Sequence, residues 1–470
     1  MIKREQIFID GKWVDSSGDG VIEVINPVTE EVVATIPAGN AEDVDRAARA
    51  AAAAFPAWSR TTVEERIAVL EKLARLTEDR AEEITQAIVS EIGQPARIAV
   101  DAQAAVAVKD FTTLAQSLRE VVWDEKVGPT LVSREAAGVV GAITPWNAPM
   151  HMVAMKAGAA IAAGCTVVLK GTEVAPLSSF IFAEIAEEAG LPPGVFNLVS
   201  GTGTEVGEPL VTHPLVDMIS LTGSVRAGRR VMELAAQSIK KVALELGGKS
   251  ANVILEDADL KTAIEVGIED AFRNTGQVCG GLSRVLVPRE RLAEAEEIAV
   301  AKAESYVLGD PYDAATTLGP VANATQQQRV RGYIESGLEE GVRLLTGGPQ
   351  APEGLERGYF VKPTVFSGDN TSRIAREEIF GPVVVLIPYD GEDQAFEIAN
   401  DTDYGLAGAI WAGDADRATA CARKLRAGRI RINGSVQNQL APHGGFKLSG
   451  IGREFGRYGI EEFLEYKSIG

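Results

Sequence analysis

The chain has few of the residues that staple or metallate small folds. Three cysteines (Cys165, Cys279, Cys421) and three histidines (His151, His213, His443) are scattered over 470 residues. An odd cysteine count without metal-type spacing excludes a disulfide framework, gives no metal site, and fits a reducing compartment. Basic residues are also in deficit, 46 Lys and Arg against 66 Asp and Glu. The resulting formal charge of -20 argues against nucleic acid or an anionic membrane as the main partner. Long apolar runs are missing. The best candidate, Met150 to Leu169, is broken by Lys156 and Gly164 and reads as a helix followed by a strand, not a membrane span. The first ten residues hold no apolar segment followed by a small-residue cleavage site, so the protein is expected in the cytoplasm. No internal repeat or low-complexity segment occurs. A strict G-x-G-x-x-G is absent too, since Gly201 to Gly207 has one residue too many.

What is present is the length and patterning of a multi-lobed α/β protein. Ile7 to Ile9 and Lys12 to Val14 flank the hairpin signal Asp10-Gly11, and Val21 to Ile25 reads as another strand. Helices are predicted from the N-caps Asn40 and Thr62, and a further helical stretch ends near Gly93. Glu120 to Asp124 and Thr130 to Arg134 read as an antiparallel pair around Gly128-Pro129. From Gly138 strands and helices alternate: strands near 139–143, 166–169, 195–199, 217–221 and 241–246, with helices over 150–163 and 177–189. Such alternation predicts a mostly parallel sheet whose strand ends meet at one ligand-binding edge. A second α/β lobe follows from Gly247. The tail, Phe463 to Ile469, alternates like an edge strand, which favours pairing with another subunit.

Three stretches carry chemistry. Cys279 lies in a loop bounded by Gly276, Gly280 and Gly281, which leave the backbone around the sulfur uncovered for a substrate and a cofactor. A lone cysteine also reads as a small packed hydrophobe, as Cys165 and Cys421 do in their apolar segments. Glu245 is wedged between Leu244 and Leu246, an environment that raises a carboxyl pKa toward a general base's range. Asn147, fixed between Pro145 and Pro149 at a strand end, can aim an amide donor at a developing oxyanion. Gly223-Ser224 opens a helix whose N-terminal amides favour an anion, or Ser224 is an N-cap and nothing more. The three histidines read as structural or solvated residues.

These stretches, together with Lys170 to Glu173, Leu221 to Ser224 and Glu377 to Pro382, resemble the aldehyde dehydrogenase superfamily in order and spacing over essentially the whole chain. The resemblance implies two open α/β lobes, a Rossmann-like cofactor domain and a catalytic domain, with a β-hairpin oligomerisation arm. Its boundaries would be 1–118 and 138–246 for the NAD-binding domain, 247–445 for the catalytic domain, and 119–137 with 446–470 for the arm and tail. It implies NAD(P)-dependent oxidation of a small-molecule aldehyde to a carboxylate, in a homodimer or homotetramer. Cys279 would be the nucleophile, Asn147 the oxyanion donor and Glu245 the base that activates the hydrolytic water. Lys156 and Glu454 match a proton relay, although a helix lysine and a buried ion pair explain them as well. Residues matching the cofactor site are Ile143, Pro145, Trp146, Lys170, Glu173, Gly203, Gly207, Gly223, Ser224, Leu246, Gly247, Glu378 and Phe380. A carboxylate at Glu173 favours NAD over NADP, because it would repel a 2′-phosphate.

The tunnel positions Ala148, Met152, Met155, Val278 and Gly280 suggest a bulky, long-chain or aromatic aldehyde. Gln437, Asn438 and Leu440, in the loop before His443, could close that space. Arg273 would select a semialdehyde carboxylate if it faced the tunnel; otherwise it is a surface or cofactor-side arginine. Two rivals are a CoA-acylating dehydrogenase, against which Glu245 argues, and a catalytically silent binding protein on the same fold, against which the intact Cys279, Glu245 and Asn147 argue.

Overall fold

A computed structural model describes residues 1–470. Its first large sheet has eight strands, in the order Gly450–Ile451, Lys241–Glu245, Met218–Thr222, Val139–Ile143, Thr166–Lys170, Phe196–Val199, Gln6–Ile9 and Lys12–Asp15. The five inner strands from Lys241–Glu245 to Phe196–Val199 are mutually parallel. Their connecting segments lie across the faces, so the strands are buried on both sides and read as continuous apolar runs. The N-terminal hairpin closes one edge, with Asp10 and Gly11 at φ 54° and 72°. Two left-handed residues in a two-residue loop match the strand twist, which is why Asp-Gly occurs there.

Local signals explain the helices. Asn40 and Thr62 cap Ala41–Trp58 and Val63–Asp79, each through a reciprocal capping box with the acid three residues on. Val44, Ala47, Ala48 and Ala51 form the fully buried stripe of the first helix. The apolar stretch after Pro149 runs as helix to Ala163, with a π turn over Ala154–Gly158. It stops at Gly164, whose φ of 89° only glycine adopts freely, and resumes as the strand Thr166–Lys170. No helix is long and apolar enough to cross a membrane.

The second large sheet orders Arg343–Thr346, Thr364–Ser367, Val383–Tyr389, Arg284–Pro288, Ala251–Ile254, Ala407–Trp411 and Arg429–Ile432. Only its first pair is antiparallel.

A small sheet joins Asp124–Val127, Thr130–Ala136 and the tail strand Leu464–Ile469. The hairpin's first strand therefore starts at Asp124, not Glu120. The two-residue turn Gly128-Pro129 fixes the register by pairing Val127 with Thr130, and the pairing runs out at Asp124 and Ser133. The tail strand pairs with Thr130–Ala136 of its own chain along six residues, so the expected exposed edge is satisfied on one side from within and open on the other. Gly450–Ile451 instead extends the eight-stranded sheet, antiparallel to Lys241–Glu245. Within 446–470, only Leu464–Ile469 joins the hairpin.

Candidate active site

The register of the first sheet aligns the ends of its strands. Ile143 lies opposite Lys170 and Leu221, and Thr222 lies opposite Glu245. The segments that continue from these ends therefore open onto one carboxyl edge: Pro145 to Asn147, Glu173, Gly223-Ser224, and Leu246 to Gly248. Thr202, whose side chain accepts from the Glu205 N–H at 3.2 Å, starts a π turn over Gly203–Gly207 just beyond the strand Phe196–Val199.

Across this edge sits the cysteine loop. The helix Leu260–Phe272 ends in a turn in which Asn274, Thr275 and Gly276 all have positive φ, 49°, 56° and 74°. Left-handed backbone at two non-glycine residues costs on the order of 1–2 kcal/mol each. Side-chain bonds hold it in place. Asn274 Nδ2 donates to the Asn147 carbonyl (3.0 Å), Thr275 Oγ1 to the Gly319 carbonyl (3.0 Å), and Gln277 Nε2 to the Asn274 carbonyl (2.9 Å), while Gln277 Oε1 accepts from the Ala322 N–H (2.8 Å). A Cβ on Gly276 would lie 2.1 Å from the Gly381 backbone, so no larger residue fits.

The glycines after Glu245 have the same origin. A Cβ on Gly248 would come within 2.6 Å of the Cys279 carbonyl oxygen, and one on Gly247 within 2.2 Å of the Glu378 carboxylate. The strand end that carries Glu245 can therefore pass directly beneath Cys279.

Cys279, Asn147 and Glu245 border one cleft of about 750 Å³, with Pro145, Trp146, Met152, Thr222, Gly223, Ser224, Leu246, Gly247, Glu378 and Phe380. The Asn147 amide nitrogen donates to the Gln277 carbonyl at 2.9 Å, which fixes its orientation and leaves its second hydrogen for another acceptor. Burial, and then the Glu245 and Glu378 carboxylates, push the Cys279 thiol up to about 12, so it is held as a thiol at neutral pH. Burial and the nearby Glu454 carboxylate raise Glu245 well above the usual carboxyl range. Both Glu245 oxygens are buried without a hydrogen-bond partner.

Behind Glu245, buried Lys156 donates to Glu454 (2.9 Å) and to the Ser220 hydroxyl (3.1 Å). Burial acts to raise Glu454, but the Lys156 charge and hydrogen bond, together with His443 and His151, outweigh it and hold the carboxyl below its usual range.

The structure also departs from the sequence reading. His443, read as structural or solvated, brings Nε2 to 3.7 Å from Glu245 Oε2, and burial with the neighbouring Arg429 cation pushes it down to about 3. Its backbone pairs with Glu454 in both directions (2.8 and 2.7 Å), so the glycine-rich return delivers both groups together. Gly444 leaves room for the Glu245 carboxylate, since a Cβ there would sit 2.7 Å from Glu245 Oε1. Met155 is 3% exposed inside the π turn and does not border this cleft. Val278 borders a small cavity behind the loop with Ala271 and Gly276, because its carbonyl turns in to accept the Gly281 N–H. A Cβ on Gly280 would meet Arg429 Nη2 at 3.3 Å and the Ala407 methyl at 3.5 Å. Arg273 lines a separate cleft with Asp101, Asn274 and Arg431.

The cleft has the donor set for a dinucleotide. Ser224 caps the helix Val225–Ala235 by accepting the Ala227 N–H at 3.2 Å, and a Cβ on Gly223 would meet nothing closer than 3.6 Å. Thr222 Oγ1 is buried on the cleft wall without a partner. Lys170 Nζ bonds one oxygen of Glu173 at 2.6 Å. Trp146 meets Phe380 edge-on, centroids 5.4 Å apart, and Phe380 is held by Gln326, whose amide donates to the Phe380 carbonyl at 2.6 Å. Gln326 and Arg329 line the same cleft and carried no signal in the sequence.

The aldehyde dehydrogenase family model matches residues 13–469. A 3-succinoylsemialdehyde-pyridine dehydrogenase from Pseudomonas sp is 48% identical over 466 residues, covering 99% of this chain and 98% of the relative. Among solved structures, aldehyde dehydrogenase C of Pseudomonas syringae, a cysteine-to-alanine mutant complexed with NAD+ and octanal, superposes with a TM-score of 0.98. It is 47% identical and covers 99% of this chain and 96% of its own. The NAD+ complex of an aldehyde dehydrogenase from Bacillus cereus gives a TM-score of 0.96 at 40% identity, covering 99% of this chain and 96% of its own.

Proposed function

The chain belongs to the aldehyde dehydrogenase family, and from that premise we propose that it is an NAD-dependent enzyme of the cytoplasm that oxidises an aldehyde larger than acetaldehyde to its carboxylate. The carrying observation is the convergence of Cys279, Asn147 and Glu245 on one cleft at the carboxyl edge of the first sheet.

Glu245, with a raised pKa and two unpaired oxygens, accepts the Cys279 thiol proton when substrate enters. The sulfur then bonds to the carbonyl carbon. The oxygen becomes an oxyanion that accepts hydrogen bonds from the free hydrogen of the Asn147 amide and from the Cys279 N–H. A bound NAD would supply the hydride acceptor that this oxidation needs. Gly223 and Ser224 would hold its pyrophosphate, and the Glu173 oxygen not engaged by Lys170 would accept from its adenosine ribose hydroxyls. Glu245 next removes a proton from the water that attacks the thioester carbon, and the C–S bond breaks to release the acid and the thiol. Lys156 and Glu454, already hydrogen-bonded behind Glu245, provide its route for proton exchange.

Substrate size rests on Ala148, which puts only a methyl where the helix Pro149–Val153 begins, and on flexible Met152 at the cleft wall. Octanal in the Pseudomonas syringae structure supports a long chain. Each buried methylene adds about 0.8 kcal/mol.

The open edge of the tail strand, beside exposed Tyr466 and Ile469, suits pairing with a second copy, so a homodimer or homotetramer is proposed. The test is NADH absorbance with acetaldehyde, hexanal and benzaldehyde, with NAD and NADP compared and the product identified with and without CoA. The expected result is free acid, NAD ahead of NADP, and hexanal and benzaldehyde ahead of acetaldehyde. A preference for acetaldehyde would overturn the size claim, and a CoA ester would overturn the hydrolytic role of Glu245.

A further inference from the structure

The short connector between Glu245 and the strand Ala251–Ile254 joins the two large sheets. Gly247 borders the cleft that holds Cys279, whereas Lys249 and Ser250 border a second, much smaller cavity with Arg284, Asn400, Tyr404 and Arg426. This cavity has charge of one sign only. Lys249, Arg284 and Arg426 are the charged residues of its wall, and no aspartate or glutamate contributes to it. Its volume of about 20 Å³ is room for one water molecule or one monatomic ion.

Two donors in this wall are unsatisfied. Lys249 is 2% exposed and Ser250 3%, and neither the ammonium nor the hydroxyl has a hydrogen-bond partner. Arg284, equally buried, uses its guanidinium on neutral oxygens. Its Nε donates to the Lys249 carbonyl (3.0 Å), its Nη1 to Asn370 Oδ1 (3.0 Å) and the Ile398 carbonyl (2.9 Å), and its Nη2 to the Ala399 carbonyl (2.8 Å). The Glu378 and Glu377 carboxylates attract Lys249 without bonding it. Glu378 is turned to the Gly248 N–H (3.3 Å), and Glu377 to the Tyr333 hydroxyl (2.7 Å) and Arg373 (3.2 Å). Burial, and then the Arg284 charge, therefore bring the Lys249 amine down to about 7.

A buried ammonium beside a second buried cation is costly unless an anion completes the pair. The guanidinium fork that would select a planar carboxylate is already occupied at Arg284, so what remains is a pair of single-point donors, an ammonium and a hydroxyl. Such a pair suits a compact spherical anion. We propose that this cavity is a halide site, in which a chloride ion accepts hydrogen bonds from Lys249 Nζ and Ser250 Oγ and neutralises the charge that Lys249 and Arg284 bury together. The ion ties the connector between the sheets to the segments around Asn400 and Arg426, and it stabilises the folded chain by binding no other state. The site is independent of the aldehyde chemistry, since none of its donors borders the Cys279 cleft.

The experiment uses the whole wild-type protein prepared in sodium gluconate, whose anion is too large for the cavity. Crystals transferred to sodium bromide, with data collected at the bromine absorption edge, should show an anomalous peak in contact with both Lys249 Nζ and Ser250 Oγ. In solution, thermal unfolding followed by circular dichroism should be about threefold slower or more in sodium chloride than in sodium gluconate at equal ionic strength. Lys249→Met, which keeps the length of the stem and removes the charge and the donor, should lose both the peak and the salt difference. Bromide peaks confined to the outer surface, or an oxygen without anomalous signal beside Lys249, overturn the proposal in the wild-type protein, whether or not the variant folds. A peak at Lys249 with equal unfolding rates in the two salts marks an adventitious ion only and also overturns it. So does a chloride effect that persists in Lys249→Met, since the ion then acts elsewhere.

Discussion

On the side of Cys279 proposed for the cofactor the polar groups come largely from the aligned ends of parallel strands, namely Thr222, Ser224, backbone amides and the Lys170–Glu173 pair. On the far side of the cysteine loop they come from a helix end, an edge strand and the loop after it, and they are guanidinium groups with amide or carboxylate neighbours. The first arrangement is a property of the sheet: any βαβ unit of this register presents helix starts along one edge. The second depends on particular side chains meeting across segments distant in sequence. One side can therefore keep its ligand while the other varies.

The comparison breaks most visibly at the residue both sides share. Cys279→Ala should lower aldehyde oxidation by on the order of a thousandfold or more, because alanine has no nucleophile, while NAD affinity measured by fluorescence quenching stays within about twofold. Lost NAD binding would mean that the loop, not the sulfur, supports the cofactor side. Glu245→Gln should reduce steady-state turnover by about a hundredfold and leave an acyl-enzyme visible by intact-mass spectrometry, since hydrolysis loses its base. If no acyl species accumulates and hydride transfer itself stops, Glu245 acts only on the thiol.

Glu173→Gln probes the cofactor side alone. The ratio of kcat/KM for NAD over NADP should fall by about tenfold, with the ranking of aldehydes unchanged. A shifted aldehyde ranking would show that the two sides are not separable.

The smallest expected effect concerns the electrostatics between them. The Glu378 carboxylate helps to raise the Cys279 pKa, and burial brings Glu378 itself up to about 7, so above that value its charge opposes thiolate formation. Removing that charge lowers the thiol pKa and increases the thiolate fraction at fixed pH. Iodoacetamide should then alkylate Glu378→Gln about two- to fivefold faster than wild type at pH near 8.5, with the difference shrinking as pH falls below 7. An unchanged rate would place Glu378 too far from the sulfur to matter.

Legibility in the sequence followed the same division. Asn40, Thr62 and Ser224 each declare a helix start through local chemistry, and the helices begin there. Strand alternation from Gly138 located the edge where Asn147, Ser224 and Glu245 gather, because parallel crossovers leave few other arrangements. The hairpin at Gly128 was placed four residues early at its first strand, since Val121 to Trp123 is more apolar than the charged Asp124–Val127 that the turn actually pairs. Gly280 read as open space because a missing side chain says nothing about who fills it, and Arg429 lies in another strand altogether. His443 gave no signal for the same reason: its proximity to Glu245 arises from pairing with Glu454, a contact between loops with no periodicity to read.

The strand Gly450–Ile451, laid antiparallel against Lys241–Glu245, also has a consequence for biosynthesis. A chain emerging from its N-terminus produces Cys279 and Glu245 well before His443, Gly450–Ile451 and Glu454, and domains tend to fold in order of emergence. During that interval Lys241–Glu245 is an unprotected sheet edge, and Glu245 faces water without its later neighbours. The burial and the Glu454 charge that raise its pKa in the folded protein are then incomplete. The surroundings of Glu245 are therefore completed only when the return segment docks, a long-range contact between segments about 200 residues apart in sequence.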